Sequence, residues 1–130
     1  ERYEKLVVKN NSTYWLVFEL LWRDFFQFIF LQDPSRFFKD YPESSEILAS
    51  ESDKRKFEMW KEGRLGVDFV DANMRELTLT GFMSNRGRQN VASYLVNDLK
   101  LDWRLGAMYF ESQLVDYDVA SNWGNWAYVA

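Results

Sequence analysis

The sequence predicts an all-α fold, and three observations carry that expectation. The stretch from Tyr14 to Phe30 contains neither Gly nor Pro and is apolar on nearly every side. Ser, Asp and Asn residues recur where helices would start. No segment shows the strict apolar–polar alternation of a half-buried strand.

The elements follow in chain order. Asn10-Asn11-Ser12-Thr13 is a helix-start cluster, and the run from Tyr14 to Phe30 behind it predicts a helix buried on most faces. Pro34 and Pro42 bracket a loop region, and Ser44 to Ser52 reads as a surface segment or a short helix. Phe57 to Glu62 predicts one further turn, closed by Gly63 and Gly66. Asp71 is expected to cap a helix over 72–79 that stops at Gly81. Ser84 or Asn85 caps the next, over 86–99, and Asp102 caps another over 103–115. Ser121 and Asn122 are candidate caps for a last helix that the chain end truncates.

Composition excludes several chemistries. With no His and no Cys, the commonest general base, the thiolate metal ligand and the disulfide are all missing. Reactions on this chain therefore call for a bound cofactor. Aromatic residues reach 18%, which implies a core or a pocket built from flat rings. Net charge is −4, so the chain as a whole does not attract nucleic acid. The charge is uneven, however: residues 73–104 hold five bases against three acids, and 33–62 hold eight acids against six bases. A local basic face can meet phosphate while the rest repels it. The apolar run 14–31 contains Glu19, Arg23 and Asp24, which argues against a membrane span. The chain opens on Glu1 rather than Met and is read as a fragment, a processed chain or an excised piece, without a signal peptide.

Three blocks carry a family signal. The first is Glu19-Leu20-Leu21-Trp22-Arg23-Asp24-Phe25-Phe26. The second runs from Val70-Asp71-Ala72-Asn73-Met74-Arg75-Glu76-Leu77 through Thr80-Gly81-Phe82 to Asn85-Arg86-Gly87-Arg88-Gln89-Asn90. The third is Asp102-Trp103-Arg104-Leu105-Gly106, then Asp116-Tyr117-Asp118-Val119-Ala120-Ser121-Asn122-Trp123-Gly124-Asn125-Trp126. In order and spacing these blocks resemble the helical FAD-binding domain of the photolyase/cryptochrome family. The Asn85–Asn90 run and Tyr128 resemble its DASH branch. The resemblance implies one incomplete flavin-binding domain over 1–130. It lacks the family's N-terminal α/β antenna domain, its early phosphate-binding loop and the stretch after the Trp126 block. An antenna pigment is not expected on this chain.

The resemblance also assigns roles. Asp118 accepts from the flavin ring edge, Asp116 pairs with Arg88 beside N5, and Asn122 faces N5. As an amide, Asn122 is neither a strong acid nor a strong base, which favours a reduced or radical flavin. Arg23 lies near the cofactor phosphates, and Phe82 and Asn85 touch its sugar and adenine side. Glu19 and Trp22, on one helix face, meet a flipped-out pyrimidine dimer; stacking on Trp contributes roughly 1–3 kcal/mol per base. Trp126 and Trp103 match two members of an electron-hopping chain. Its third member falls by ungapped counting near Ser50, where there is no Trp, with Tyr109 a candidate substitute. Leu65-Gly66-Val67-Asp68 departs from the family's Thr-Gly-x-Pro, and 30–56 resembles nothing in it. On local grounds alone, Arg88–Asp116 is equally an ordinary ion pair, Glu19–Arg23 a helix-surface pair, and each Trp a core residue.

Three readings follow. One is an enzyme whose reduced FAD repairs cyclobutane pyrimidine dimers in single-stranded DNA under blue light. Another is a flavin photoreceptor without repair. The third is a cut-down structural subunit that meets protein partners in a larger assembly. The chain by itself is expected to be inactive and to bind FAD weakly or not at all. Its location is expected to be intracellular, with plastid and mitochondrion open.

Overall fold

Local capping chemistry starts most of the helices in the computed structural model, which describes residues 2–38, 47 and 50–130. After a short helix α1 (Arg2–Leu6), Asn10 and Thr13 form a reciprocal capping box, each side chain accepting the other's backbone N–H at 3.1 Å. Helix α2 (Asn11–Gln32) follows and gives way at Asp33 to a 3-10 turn over Pro34–Phe37. Ser50 caps α3 (Glu51–Lys61), whose expected single turn is thus three turns long. Helix α4 is Asp68–Thr80 and ends at Gly81 as expected. Ser84 caps α5 (Asn85–Ser93), which tightens no further but widens into a π-helical turn over Tyr94–Asp98. Asp102 caps α6 (Trp103–Gln113), and α7 (Val119–Val129) completes the chain. No strand occurs among the described residues. The expectations for Pro42, for 44–46 and for 48–49 lie outside them, whereas Ser52 belongs to α3.

Two caps differ from expectation. Asp71 lies inside α4, and its two carboxylate oxygens accept the backbone N–H groups of Leu65 and Gly66 at 3.0 and 2.8 Å. It therefore ties down the preceding loop rather than the helix that contains it. The last helix is capped by Asp118, which accepts from Ser121 N–H at 2.8 Å, so Ser121 and Asn122 are both inside α7.

The core lies among α3 to α7. Trp60, Met74, Leu77, Met83, Leu95 and Leu105 are essentially inaccessible to solvent. Full burial of one such side chain contributes about 1.5–3 kcal/mol.

Helix α2 departs from its sequence pattern. Apolar nearly all round, it nevertheless buries only Phe26, while Leu16, Phe28 and Leu31 are 66–74% exposed. The reason is that a single stripe meets the rest of the molecule. Tyr14, Phe18, Trp22 and Phe26 form an i, i+4 ladder with ring centroids 5.9, 6.1 and 5.9 Å apart. The ladder ends on α7, where Trp22 meets Tyr128 at 5.9 Å and the Phe26 ring lies directly on Gly124. A Cβ at Gly124 would overlap that ring. Gly124→Ala is therefore expected to cost about 1–3 kcal/mol and to speed amide hydrogen exchange in α2. Unchanged exchange there would show that Phe26 does not hold the two helices together.

Candidate functional site

The Gly124 contact leaves a cavity of about 420 Å³ between α2, α5 and the Asp116–Val129 segment. Its floor is aromatic and aliphatic, with Phe110, Leu114, Ala92 and Trp126. Polar groups converge from three elements: Glu19 and Arg23 from α2, Asn85 and Arg88 from α5, and Asp116, Asp118 and Asn122 from the start of α7 and the turn before it. Flat apolar walls with polar groups along one side suit a planar heteroaromatic ligand.

Arg88 organises the polar side. Its Nε donates to the Met83 carbonyl at 2.8 Å, which leaves one Nη to bridge both Asp116 oxygens at 3.0 and 2.9 Å. The two residues, 28 apart in sequence, are thus within ion-pair reach as expected. The pair is only partly buried, so its own contribution to stability is small, about 0–1 kcal/mol. Arg88 also lies 5.8 Å from the Phe82 ring centroid. Asp118 uses one oxygen as the α7 cap. Asn122 is buried, and its Nδ2 donates to the Ala107 carbonyl of α6 at 3.0 Å. That bond fixes the amide's orientation and leaves Oδ1 as the group available to a ligand.

Most of the expected site residues line this cavity: Glu19, Trp22, Arg23, Asn85, Arg88, Asp116, Asp118, Asn122 and Trp126. Phe82 and Trp103 lie outside it. Phe82 is half exposed and belongs to the turn between α4 and α5. Arg23 pairs with its neighbour Asp24 at 2.8 Å, so the Glu19–Arg23 helix pair is replaced by an adjacent one. Ser50, where a third relay Trp would fall, accepts the Asp53 N–H at 3.0 Å as a cap, a task no indole can perform. Gln89, Tyr117, Ser121, Asn125 and Tyr128 also line the cavity. Gln89, Tyr117, Ser121 and Asn125 all stood within the family blocks and Tyr128 two residues beyond the last, but residue type alone did not mark them as facing a cavity.

Trp126 rests on α6 at Gly106, whose missing Cβ makes the space for its ring. Its other ring neighbours are Phe110 at 5.1 Å and Trp60 at 6.3 Å. Trp103, on the first turn of α6, stacks edge-on against Trp123 at 5.9 Å.

Burial pushes the Tyr117 phenol up to about 12, and the neighbouring Glu111 carboxylate adds to the shift. The folded-state value lies above the free value of 10.0, so the stabilisation is fully present below that pH and disappears as pH rises toward 12. Tyr117→Phe is therefore expected to flatten the alkaline fall in the urea midpoint. An identical fall in parent and variant would remove Tyr117 from the account.

No helix of the described residues is long and apolar enough to cross a membrane, and no group of three potential ligands for a metal occurs among them.

Comparison with known proteins bears on this cavity. The family model for the FAD binding domain of DNA photolyase matches residues 15–130. Cryptochrome DASH of Natronomonas pharaonis is 61% identical over the whole chain, which covers 27% of that protein. The solved structure of a Synechocystis cryptochrome superposes with a TM-score of 0.85 at 54% identity, over 99% of this chain and 27% of that one. An archaeal photolyase from Sulfolobus tokodaii, solved with two FAD molecules, superposes at 0.79 with 41% identity, over 98% of this chain and 29% of that one. The chain thus spans about a quarter of the length of the proteins it resembles.

Proposed function

The chain belongs to the photolyase/cryptochrome family, in its DASH branch, and from that premise we propose that its cavity is the ring-edge half of a flavin pocket. The pocket would serve light-driven electron transfer that repairs cyclobutane pyrimidine dimers in single-stranded DNA. One observation supports this above the others. Glu19 and Trp22 of α2 share a single cavity with Arg88, Asp116 and Asn122, contributed by elements distant in sequence.

The residues present fit FAD by their chemistry. Phe110, Leu114 and Trp126 offer apolar surface to a flat ring. The Arg88–Asp116 pair sets a fixed dipole beside it, and Asn122 offers a carbonyl oxygen to a ring N–H. FAD supplies the light absorption and the redox chemistry when bound. The chain's part is to orient the ring, to exclude water from its inner face, and to present a mouth to DNA. Glu19 and Trp22 are accessible at that mouth, Trp22 for stacking and Glu19 for hydrogen bonding to a base. Arg23 would meet the diphosphate at the expense of Asp24.

Titration of FAD against the purified chain, followed by flavin fluorescence, tests the reading. Binding is expected to be weaker than about 1 μM, because ring contacts half open to water must also order a flexible dinucleotide. Arg88→Ala is expected to weaken it by about tenfold, the loss of one charge-assisted contact. No fluorescence change at saturating FAD, in a chain whose helical circular dichroism is intact, would overturn the reading.

A further inference from the structure

Outside the cavity, Trp123 and Glu111 form a second polar and aromatic cluster against Trp103. Trp123 is 3% exposed, yet its indole N–H is directed at a carboxylate: Nε1 donates to Glu111 Oε2 at 3.0 Å. Trp126 and Trp103, the two relay candidates, make no such contact. On its other side Trp123 meets the Trp103 ring edge-on, 5.9 Å between centroids. Glu111 itself is exposed at the C-terminal end of α6.

We propose that Trp123 and Glu111 form a proton-coupled outer station for an electron hole that arrives on Trp103. The inference rests on the flavin reading above together with the relay role that the family resemblance gives Trp103, with photo-excited oxidised FAD as the oxidant. An electron passes from the Trp123 indole to the Trp103 radical cation and restores neutral Trp103. The Nε1–H bond of Trp123 breaks, and its proton forms an O–H bond on Glu111 Oε2. The products are a neutral Trp123 radical and a protonated Glu111, so charge and atoms balance. An indole radical cation is a far stronger acid than indole, and a carboxylate already hydrogen-bonded to it needs no reorganisation to take the proton. Glu111 then exchanges that proton with bulk water. Return of the hole would require reprotonation, so charge separation lasts longer than it would on Trp103 alone.

The surroundings support this assignment. Burial and the neighbouring Glu111 carboxylate push the Tyr117 phenol up to about 12, so it stays protonated and is not a competing base. The position near Ser50 offers no ring for an outward step, while Trp123 lies beside Trp103. Ordinary core packing would place a ring here, but it would not require a carboxylate on the indole nitrogen.

The chain has no cysteine, so a ruthenium–bipyridyl photo-oxidant can be attached at a single Lys100→Cys site, three residues before Trp103 and exposed. Flash-quench absorption then follows indole oxidation without flavin. In the parent, the neutral indolyl spectrum is expected to replace the radical-cation spectrum, with a solvent deuterium isotope effect. Glu111→Gln, a change at an exposed side chain, is expected to slow that conversion by about 100-fold. Trp123→Phe should leave a Trp103 radical cation that recombines faster. An unchanged conversion rate in Glu111→Gln would overturn the proposal, whether or not Trp123→Phe folds. Because flavin takes no part in this measurement, failure to bind FAD would sink the reading above and leave this result standing.

Discussion

Trp60→Ala is expected to remove about 3–5 kcal/mol of folding stability, the cost of deleting a large buried ring whose surroundings collapse only partly. Trp60 is fully buried and joins four helices. It stacks on Phe57 of its own helix α3 at 5.9 Å and on Phe110 of α6 at 6.3 Å. It meets Tyr109 of α6 at 5.7 Å and Trp126 of α7 at 6.3 Å. Its indole N–H donates to the Val91 carbonyl of α5 at 3.1 Å. The loss is a large share of the roughly 5–15 kcal/mol that a domain of this size has in total. Trp60→Phe keeps most of the ring contact and gives up the hydrogen bond, so a loss nearer 1–2 kcal/mol is expected. Urea unfolding of both variants measures this. A shift below 1 kcal/mol for Trp60→Ala would show that α3 is not integral to the core.

The second large effect is expected at Asn122. Asn122→Asp replaces the Nδ2 that donates to Ala107 with an oxygen that, when ionised, can only repel that carbonyl. The new carboxyl is buried and must hold a proton to keep the bond, so burial raises its pKa above the free value of about 3.9. For a group raised in the folded state, stability is kept below the unfolded pKa and lost as pH rises through the folded one. The variant should therefore match the parent near pH 4 and fall about 1–3 kcal/mol below it by pH 7. Unfolding curves at the two pH values decide it. A pH-independent difference would mean that the amide is not held by Ala107 as described.

Much of the fold was legible because caps are local. Asn10, Ser84 and Asp102 bond backbone groups two or three residues away, and the residue types alone announce that. Asp71 and Asp118 were misread in function or overlooked for the same reason seen from the other side. Asp71 reaches back to a loop, at Leu65 and Gly66, and nothing in the sequence separates that from a cap. Asp118 competed with Ser121 and Asn122 for one task, and only the backbone showed which of them remained extended. The π-helical turn at Tyr94–Asp98 has no comparable marker in residue type.

The sequence by itself determined the helical class, most helix starts, the family, and the set of residues that could meet a flavin edge, because each depends on residue identity and short spacing. Tertiary structure alone decided which of those residues share a cavity. Arg88 meets Asp116 because α5 packs beside the turn before α7. Glu19 and Trp22 join them because Gly124 lets Phe26 seat α2 on α7. Tertiary structure also decided that an apolar α2 buries one stripe rather than most of its faces, and that Trp103 looks toward Trp123 and Glu111. Such contacts depend on where helices cross, and crossing is set by the fit of side chains from segments far apart in the chain, which no local pattern records.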